Sequence, residues 1–105
     1  MTTQESVSEG YRNNRVGPIL RSGDVALAAV DAVEVDNPDK EVSIEDRAAY
    51  VRIECEGECV LTRETMEEML GRHFEMSELE VNLSSFSGQI DMSADRVRFY
   101  LNRKI

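Results

Sequence analysis

The chain has 105 residues and a formal net charge of −9, with 41% hydrophobic and 31% charged residues. This length and balance are typical of one folded domain and exclude an intrinsically disordered chain. The acidic excess falls mainly between residues 31 and 80, which argues against a nucleic-acid partner because phosphates would be repelled. We find neither an apolar run of about 18 residues nor a basic-then-apolar leader, so we expect a cytoplasmic protein without a membrane partner.

The N-terminal part of the sequence predicts a tail followed by a single domain. Residues 1–12 are mostly polar and predict a mobile tail, and the domain is expected to span residues 13–105. Val16 to Leu20 form a short apolar run that contains Pro18. Because proline has no N–H and cannot fill a central ladder position, this run predicts an edge strand or an extended arm.

A first helix and a clear strand follow this run. Asp24 is a suitable N-cap, and the helix should end by Asn37 because Pro38 disfavours helical backbone at the residue before it. Alanine on the buried face of this helix would allow close packing on a sheet. Residues 39–47 are acidic and leave a loop or an irregular strand open. Residues 49–55 alternate between apolar and polar side chains, which predicts a half-buried strand.

The next segment predicts a hairpin and a second helix. Residues 56–58 form a three-residue loop with a central glycine, and the return strand begins at Cys59. Thr62 can cap a helix that ends at Gly71, since glycine readily adopts the left-handed conformation that stops a helix. Residues 76–79 leave one further helical turn open.

The C-terminal part predicts the remaining strands. Residues 81–86 indicate a strand whose alternation fails at Ser84 and Ser85, which predicts a β-bulge there. Residues 89–92 continue it, and after a turn residues 97–101 alternate as a final strand. The complete order is strand, helix, strand, strand, helix, strand, strand. It predicts an α+β domain with a mainly antiparallel sheet and two main helices.

Few residues are candidates for catalysis or metal binding. Cys55 and Cys59 flank the predicted hairpin loop, so their side chains are expected to face each other. Together with His73 they supply fewer ligands than a zinc site needs, and a disulfide or two small semi-buried side chains remain open. No nucleophile is tied to His73 by a motif. We therefore expect no catalytic residues, no metal site and no cofactor.

Two segments are distinctive although they contain no catalytic machinery. Asn13 to Asp24 read NNRVGPILRSGD, and Leu83 to Ile90 read LSSFSGQI. With residues 53–70 between them, and shorter runs at 34–38 and 98–100, they resemble the effector (coupling, or regulatory) proteins of bacterial multicomponent toluene monooxygenases. Those proteins belong with the regulatory proteins of phenol hydroxylase and soluble methane monooxygenase.

The resemblance implies a non-enzymatic effector without a cofactor. Its partner would be the diiron hydroxylase of an aromatic, toluene-type monooxygenase, bound in competition with a ferredoxin. Binding would tune active-site conformation, oxygen activation, coupling of NADH use to hydroxylation, and regiospecificity. The alternative is a generic acidic protein-interaction module unrelated to oxygenases, and a third reading is a small enzyme that uses Cys55 or His73.

The candidate interface residues come from the two distinctive segments. They are specific to the resemblance and have no catalytic role, and asparagine offers both hydrogen-bond donors and acceptors to a partner. The residues expected at the partner interface are Asn14, Val16, Gly17, Pro18, Ser84, Ser85, Phe86 and Gln89.

Overall fold

A computed structural model describes residues 14–101, so the predicted tail at residues 1–12 lies outside the described residues. The described part contains seven strands and three helices in two antiparallel sheets, which confirms the predicted α+β class. In chain order the elements are β1 (Arg15–Arg21), α1 (Asp24–Asp36), β2 (Ser43–Asp46), β3 (Tyr50–Glu56), β4 (Glu58–Thr62), α2 (Arg63–Leu70), α3 (Met76–Asn82), β5 (Leu83–Ser87), β6 (Gln89–Met92) and β7 (Arg96–Tyr100).

Two of these elements go beyond the predicted order. Residues 39–47 were predicted to form a loop or an irregular strand. The structure contains a short strand there, β2, which pairs with β3. α3 extends the helical turn left open at 76–79 as far as Asn82. The strand predicted from Val81 therefore begins at Leu83, since Val81 is helical.

The chain leaves one sheet and enters the other at Gly57. The first sheet has the order β2-β3-β1-β5 and the second the order β4-β7-β6. The predicted hairpin at residues 56–58 is therefore wrong, because β3 and β4 lie in different sheets. β3 already has β2 on one edge and β1 on the other, so β4 has no free edge to join and pairs with β7 instead. Gly57 makes this corner with a φ of +82°, which favours glycine.

β1 is a central strand, and the predicted edge position or extended arm is wrong. It pairs with β3 on one side and with β5 on the other. The ladder to β3 passes from Val16↔Cys55 to Ile19↔Arg52 without pairing at Gly17 and Pro18, so the missing proline N–H is tolerated. Gly17 comes so close to β3 at this point that a side chain there would collide with the Ile53 carbonyl.

Gly88 forms a second corner, between β5 in the first sheet and β6 in the second. A Cβ at Gly88 would lie 2.6 Å from Val16 Cγ1 and 2.7 Å from the Tyr100 carbonyl oxygen. Its φ is +92°, so both its backbone and its surroundings favour glycine. The two corners turn one chain into two sheets that share a core.

The core lies between the sheets and the helices. α1 buries an alanine-rich face and packs against the β4 strand, as predicted from its composition, and also against α2. The largest fully buried side chains include Phe74, Phe99, Leu20, Ile53, Leu61 and Met66. Small alanine side chains let the α1 backbone approach its neighbours closely.

The predicted ends of the helices are largely confirmed. Thr62 caps α2, because its Oγ1 accepts a hydrogen bond from the Thr65 N–H at 3.3 Å. Gly71 ends α2 in the left-handed conformation, with a φ of +71°. α1 ends at Asp36 as expected, but Gly23 holds its N-cap position and Asp24 is the first helical residue.

Asn37 attaches the end of α1 to the edge of the second sheet. Its buried Nδ2 donates to the carbonyl oxygens of Val33 and Val60 at 2.7 and 2.8 Å, and its Oδ1 accepts from the Val60 N–H at 2.9 Å. We expect Asn37→Ala to lower the free energy of unfolding by about 2–3 kcal/mol, because both Val60 backbone groups lose these partners. Urea denaturation followed by circular dichroism measures the change.

Asn82→Ala is the control for this substitution. The Asn82 amide makes one hydrogen bond, to the Glu78 carbonyl at 2.8 Å within α3. Its removal is expected to cost less than about 1 kcal/mol. Equal losses in the two variants would contradict the bridging role of Asn37.

Candidate docking surface

The described residues bring no metal-binding cluster together. Within residues 14–101, no group of three or more His, Cys, Asp and Glu side chains is placed to hold a metal ion. His73 is exposed, with Nδ1 3.1 Å from a Glu67 carboxylate oxygen and Nε2 in contact with Glu75. The Glu67 pKa is lowered, chiefly because the carboxylate accepts the Phe74 N–H. The same carboxylate holds the loop between α2 and α3, so a structural role accounts for this cluster.

None of the helices within residues 14–101 is both long enough and apolar enough to cross a membrane.

The most distinctive surface is the open edge formed by β5 and β6. β5 is the last strand of the first sheet and β6 is the last strand of the second, and Gly88 joins them. Each strand has a partner on one side, and edge strands present backbone groups that another chain can pair with. Residues 83–92 therefore form one continuous segment along one edge of each sheet, which we call the open edge.

Most of the open edge, residues 83–90, lies in the longest uncharged stretch of the chain, and Asp91 is its one charged residue. Residues 81–90 contain no charged side chain, whereas 31% of all residues are charged. The cores of protein–protein interfaces are depleted of charge and enriched in aromatic residues. Residues 83–90 of the open edge are thus the part of the surface whose composition best matches an interface core.

Phe86 is the aromatic residue of the open edge. Its side chain remains 38% exposed, and its ring packs on the fully buried Phe99 with the centroids 5.9 Å apart and the planes at 46°. A tilted contact of this kind is favourable and fixes the ring. Phe86 is therefore an exposed aromatic side chain whose position is set by the core, so little freedom is lost when a partner covers it.

Ser84 forms the bulge predicted from the lost alternation. β1 pairs Ile19 with Ser85 and Leu20 with Leu83, so Ser84 has no counterpart in β1. A bulge bends the strand and changes the direction of its side chains. Ser84 and Ser85 are both exposed as a result, next to Phe86.

The second sheet adds residues that sequence reasoning missed. Gln89 is exposed and lies opposite Tyr100 in the β6–β7 ladder. Arg98 stands two residues before Tyr100, with its guanidinium carbon 4.1 Å from the Tyr100 ring centroid, and it forms an ion pair with Glu58. Both residues belong to the run at 98–100 that carries the resemblance. Their alternation with Phe99 could have placed them on the outer face.

Val81 is a second missed residue. Its side chain is 70% exposed, two positions before β5. α3 buries Met76 and Leu79, and Val81 lies off that stripe. Helical rather than strand periodicity in this segment would have revealed it.

The structure separates the eight predicted interface residues into three groups: four exposed, one partly exposed and three buried. Ser84, Ser85, Phe86 and Gln89 are exposed along the open edge. Asn14 is partly exposed and lies beside the Gly57 corner, where its carbonyl oxygen accepts the Gly57 N–H at 2.7 Å.

The expectation of direct contact is corrected for Val16, Gly17 and Pro18. All three are buried, because β1 is central rather than an exposed arm. In this conformation they have no surface to offer a partner. Pro18 pairs with Phe86 and Gly17 with Ser87. These residues therefore support the open edge from the neighbouring strand β1.

Sequence relatives are found among components of monooxygenases. The model of the MmoB/DmpM family matches residues 14–100. The effector subunit of the alkene monooxygenase system of Xanthobacter autotrophicus (strain ATCC BAA-1158 / Py2) is 46% identical over 87 residues, 83% of this chain and 86% of the relative. The stimulatory component DmpM of phenol 2-monooxygenase from Pseudomonas sp. (strain CF600) is 34% identical over 77 residues, 73% of this chain and 83% of the relative.

The same fold is found in solved structures. A chain in a phenol hydroxylase–regulatory protein complex matches with a TM-score of 0.71 and 34% identity, covering 84% of this chain and 99% of that one. The soluble methane monooxygenase regulatory protein B matches with a TM-score of 0.61 and 22% identity, covering 84% of this chain and 65% of that one, and shares the fold. The chain belongs to the MmoB/DmpM family.

Proposed function

We propose that this protein is the non-enzymatic effector of a multicomponent monooxygenase and that it binds the diiron hydroxylase component. The observation that carries the proposal is the similarity to a chain in a phenol hydroxylase–regulatory protein complex. The two chains are 34% identical with a TM-score of 0.71, and the match covers 99% of the chain in the complex. Relatives named as effector and stimulatory components add to it. We infer a cytoplasmic location, since both cysteines are free thiols.

The open edge is the proposed contact surface. Its uncharged stretch, the core-anchored Phe86 and the exposed Ser84, Ser85 and Gln89 would form the centre of the interface. Asn14 contributes at the Gly57 corner, and Val16, Gly17 and Pro18 support the edge from β1. The acidic remainder of the chain would steer the protein towards a basic rim on the hydroxylase.

The effector acts by differential affinity for two states of the hydroxylase. A ligand shifts an equilibrium only as far as it binds one state more tightly than the other. A coupling free energy of ~1–3 kcal/mol changes the populations by about 5–150-fold. Such a shift would favour the conformation competent for oxygen activation and would alter coupling and regiospecificity. A ferredoxin that competes for the same hydroxylase surface requires this binding to be reversible.

The substrate of the partner hydroxylase is an unsaturated hydrocarbon. The sequence runs favour an aromatic, toluene-type system. The 46% identity to the effector of an alkene monooxygenase favours an alkene as the second candidate. Both substrates present a carbon–carbon π-bond to an oxidising centre, so one type of effector is compatible with either.

The test is a titration into two complete systems. The protein is added to a toluene-type and to an alkene-type hydroxylase, each with its own electron-transfer components, while oxidised product and NADH are followed together. We expect the rate and the product per NADH to rise in the matching system and to saturate near one effector per active site. Excess protein should lower the rate if a ferredoxin competes.

The titration also distinguishes the generic acidic interaction module. Such a module would leave rate, coupling and product distribution unchanged in both systems. That result would overturn the effector proposal. The catalytic alternative is tested by Cys55→Ser and His73→Ala, which an effector tolerates without loss of stimulation if it remains folded.

A further inference from the structure

Cys55 and Cys59 form a buried pair at the corner between the two sheets. Cys55 lies near the end of β3 and Cys59 near the start of β4, with Gly57 between them at a φ of +82°. Both cysteines are free of a disulfide and have no exposed surface. Their side chains share a hydrogen bond, so the five-residue corner brings two sulfur atoms from different sheets into contact.

The surroundings of the pair make its two members unequal. The hydrogen bond with Cys55, together with burial, raises the pKa of Cys59. The pKa of Cys55 is lowered, first by this hydrogen bond and further by the positive charge of Lys40. Lys40 lies over the corner, where its Nζ donates to the Glu56 carbonyl oxygen at 2.8 Å. The lowered pKa favours Cys55 as the attacking thiol, and the short corner places Cys59 as the second thiol beside it.

We propose that Cys55 and Cys59 are a reversible oxidation site, at which a peroxide converts the two thiols into an intramolecular disulfide across the β3–β4 corner. This proposal does not depend on the effector function. It rests on two buried thiols in mutual contact, joined by a short segment whose central glycine adopts a turn conformation.

The chemistry proceeds in two balanced steps. The Cys55 thiolate attacks one oxygen of hydrogen peroxide, the O–O bond breaks, and the second oxygen leaves as hydroxide and takes up the thiol proton to become water. The Cys59 sulfur then attacks the Cys55 sulfenic acid, the S–O bond breaks and a second water leaves. Overall, two thiols and one hydrogen peroxide give one disulfide and two waters. A dithiol reductant reverses the change.

The disulfide would tie the two sheets together close to the open edge. Cys55 pairs with Val16 in β1, and Cys59 pairs with Phe99 in β7. Val16 contacts the Gly88 corner, and Phe99 holds the ring of Phe86. A covalent link here would stiffen Val16 and Phe99, which support the open edge.

Mass spectrometry of the intact protein tests the proposal. The folded protein is treated with millimolar hydrogen peroxide, unfolded, alkylated with iodoacetamide and weighed, with an untreated sample alongside. We expect the treated chain to lose two hydrogens and to carry no alkyl groups, and dithiothreitol should restore two alkylation sites. Its thermal midpoint should rise by about 5–10 °C over the reduced form, because the unfolded chain is cross-linked.

Cys55→Ser and Cys59→Ser are the matched variants. Each retains one thiol and should gain oxygen atoms or form dimers instead of losing two hydrogens. Circular dichroism checks that both variants fold, and the comparison of oxidised with reduced wild type needs no variant. The proposal fails if the folded wild type keeps two alkylation sites while the same chain in urea is oxidised, or if its cysteines acquire oxygen without forming the disulfide.

Discussion

Replacing Gly17 by alanine is expected to lower the free energy of unfolding by about 3–5 kcal/mol, among the largest losses for a single substitution. A Cβ at this position would lie 2.0 Å from the carbonyl oxygen of Ile53 and 3.1 Å from Cα of Glu54, so backbone must move. The φ of +152° adds strain for any side chain. Urea denaturation followed by circular dichroism gives the free energy.

Gly23→Ala is a closely matched control. Gly23 has the same φ of +152°, but nothing lies within 4 Å of a Cβ placed on it. Its substitution carries the conformational cost without the collision and should lose about 1 kcal/mol. The difference between the two variants therefore measures the close approach of β1 to β3. A similar loss in both would mean that this approach does not limit stability.

Phe86→Ala is expected to weaken binding to the hydroxylase by about 10–100-fold, which corresponds to ~1.4–2.8 kcal/mol. The substitution removes the aromatic side chain from the centre of the open edge and introduces no charge. Titration calorimetry or fluorescence anisotropy with the matching hydroxylase measures the affinity. Because Phe86 also packs on Phe99, its thermal unfolding must confirm that the variant is folded at the assay temperature.

Tyr50→Ala controls for the loss of an exposed aromatic side chain. Tyr50 and Phe86 have the same exposed fraction of 38%. Tyr50, however, begins β3 and pairs with Arg21, away from the open edge. We expect its substitution to change the affinity by less than about threefold, as at most positions outside a binding hot spot. If both variants bind like the wild type, the open edge is not the docking surface.

Part of the candidate site was predictable because its cause is local. The strict alternation of a strand fails at Ser84 and Ser85, and the structure places the bulge at Ser84. The resemblance drew attention to the segment that contains Phe86. The open character of the edge was not predictable, since it depends on β5 and β6 each lacking a second neighbour.

The burial of Val16, Gly17 and Pro18 illustrates what pattern reasoning misses. Proline within an apolar run is typical of an edge strand, and that rule predicted an edge strand or an extended arm. The actual neighbours of β1 come from residues 50–56 and 83–87, both far away along the chain. The pairing of β1 with β3 is interrupted at Gly17 and Pro18, so the central strand tolerates the proline.

The sequence by itself determined the positions of most strands, the ends of α1 and α2, the bulge and the α+β class. These features depend on caps, glycines and side-chain alternation, which act within a few residues. Only the tertiary structure decided that β3 and β4 separate at Gly57 and that β1 lies at the centre. Strand pairing depends on which edges are already occupied, and here β2 and β1 occupy both edges of β3. This pairing involves residues that are distant along the chain, and it places β5 and β6 as outer strands of their sheets.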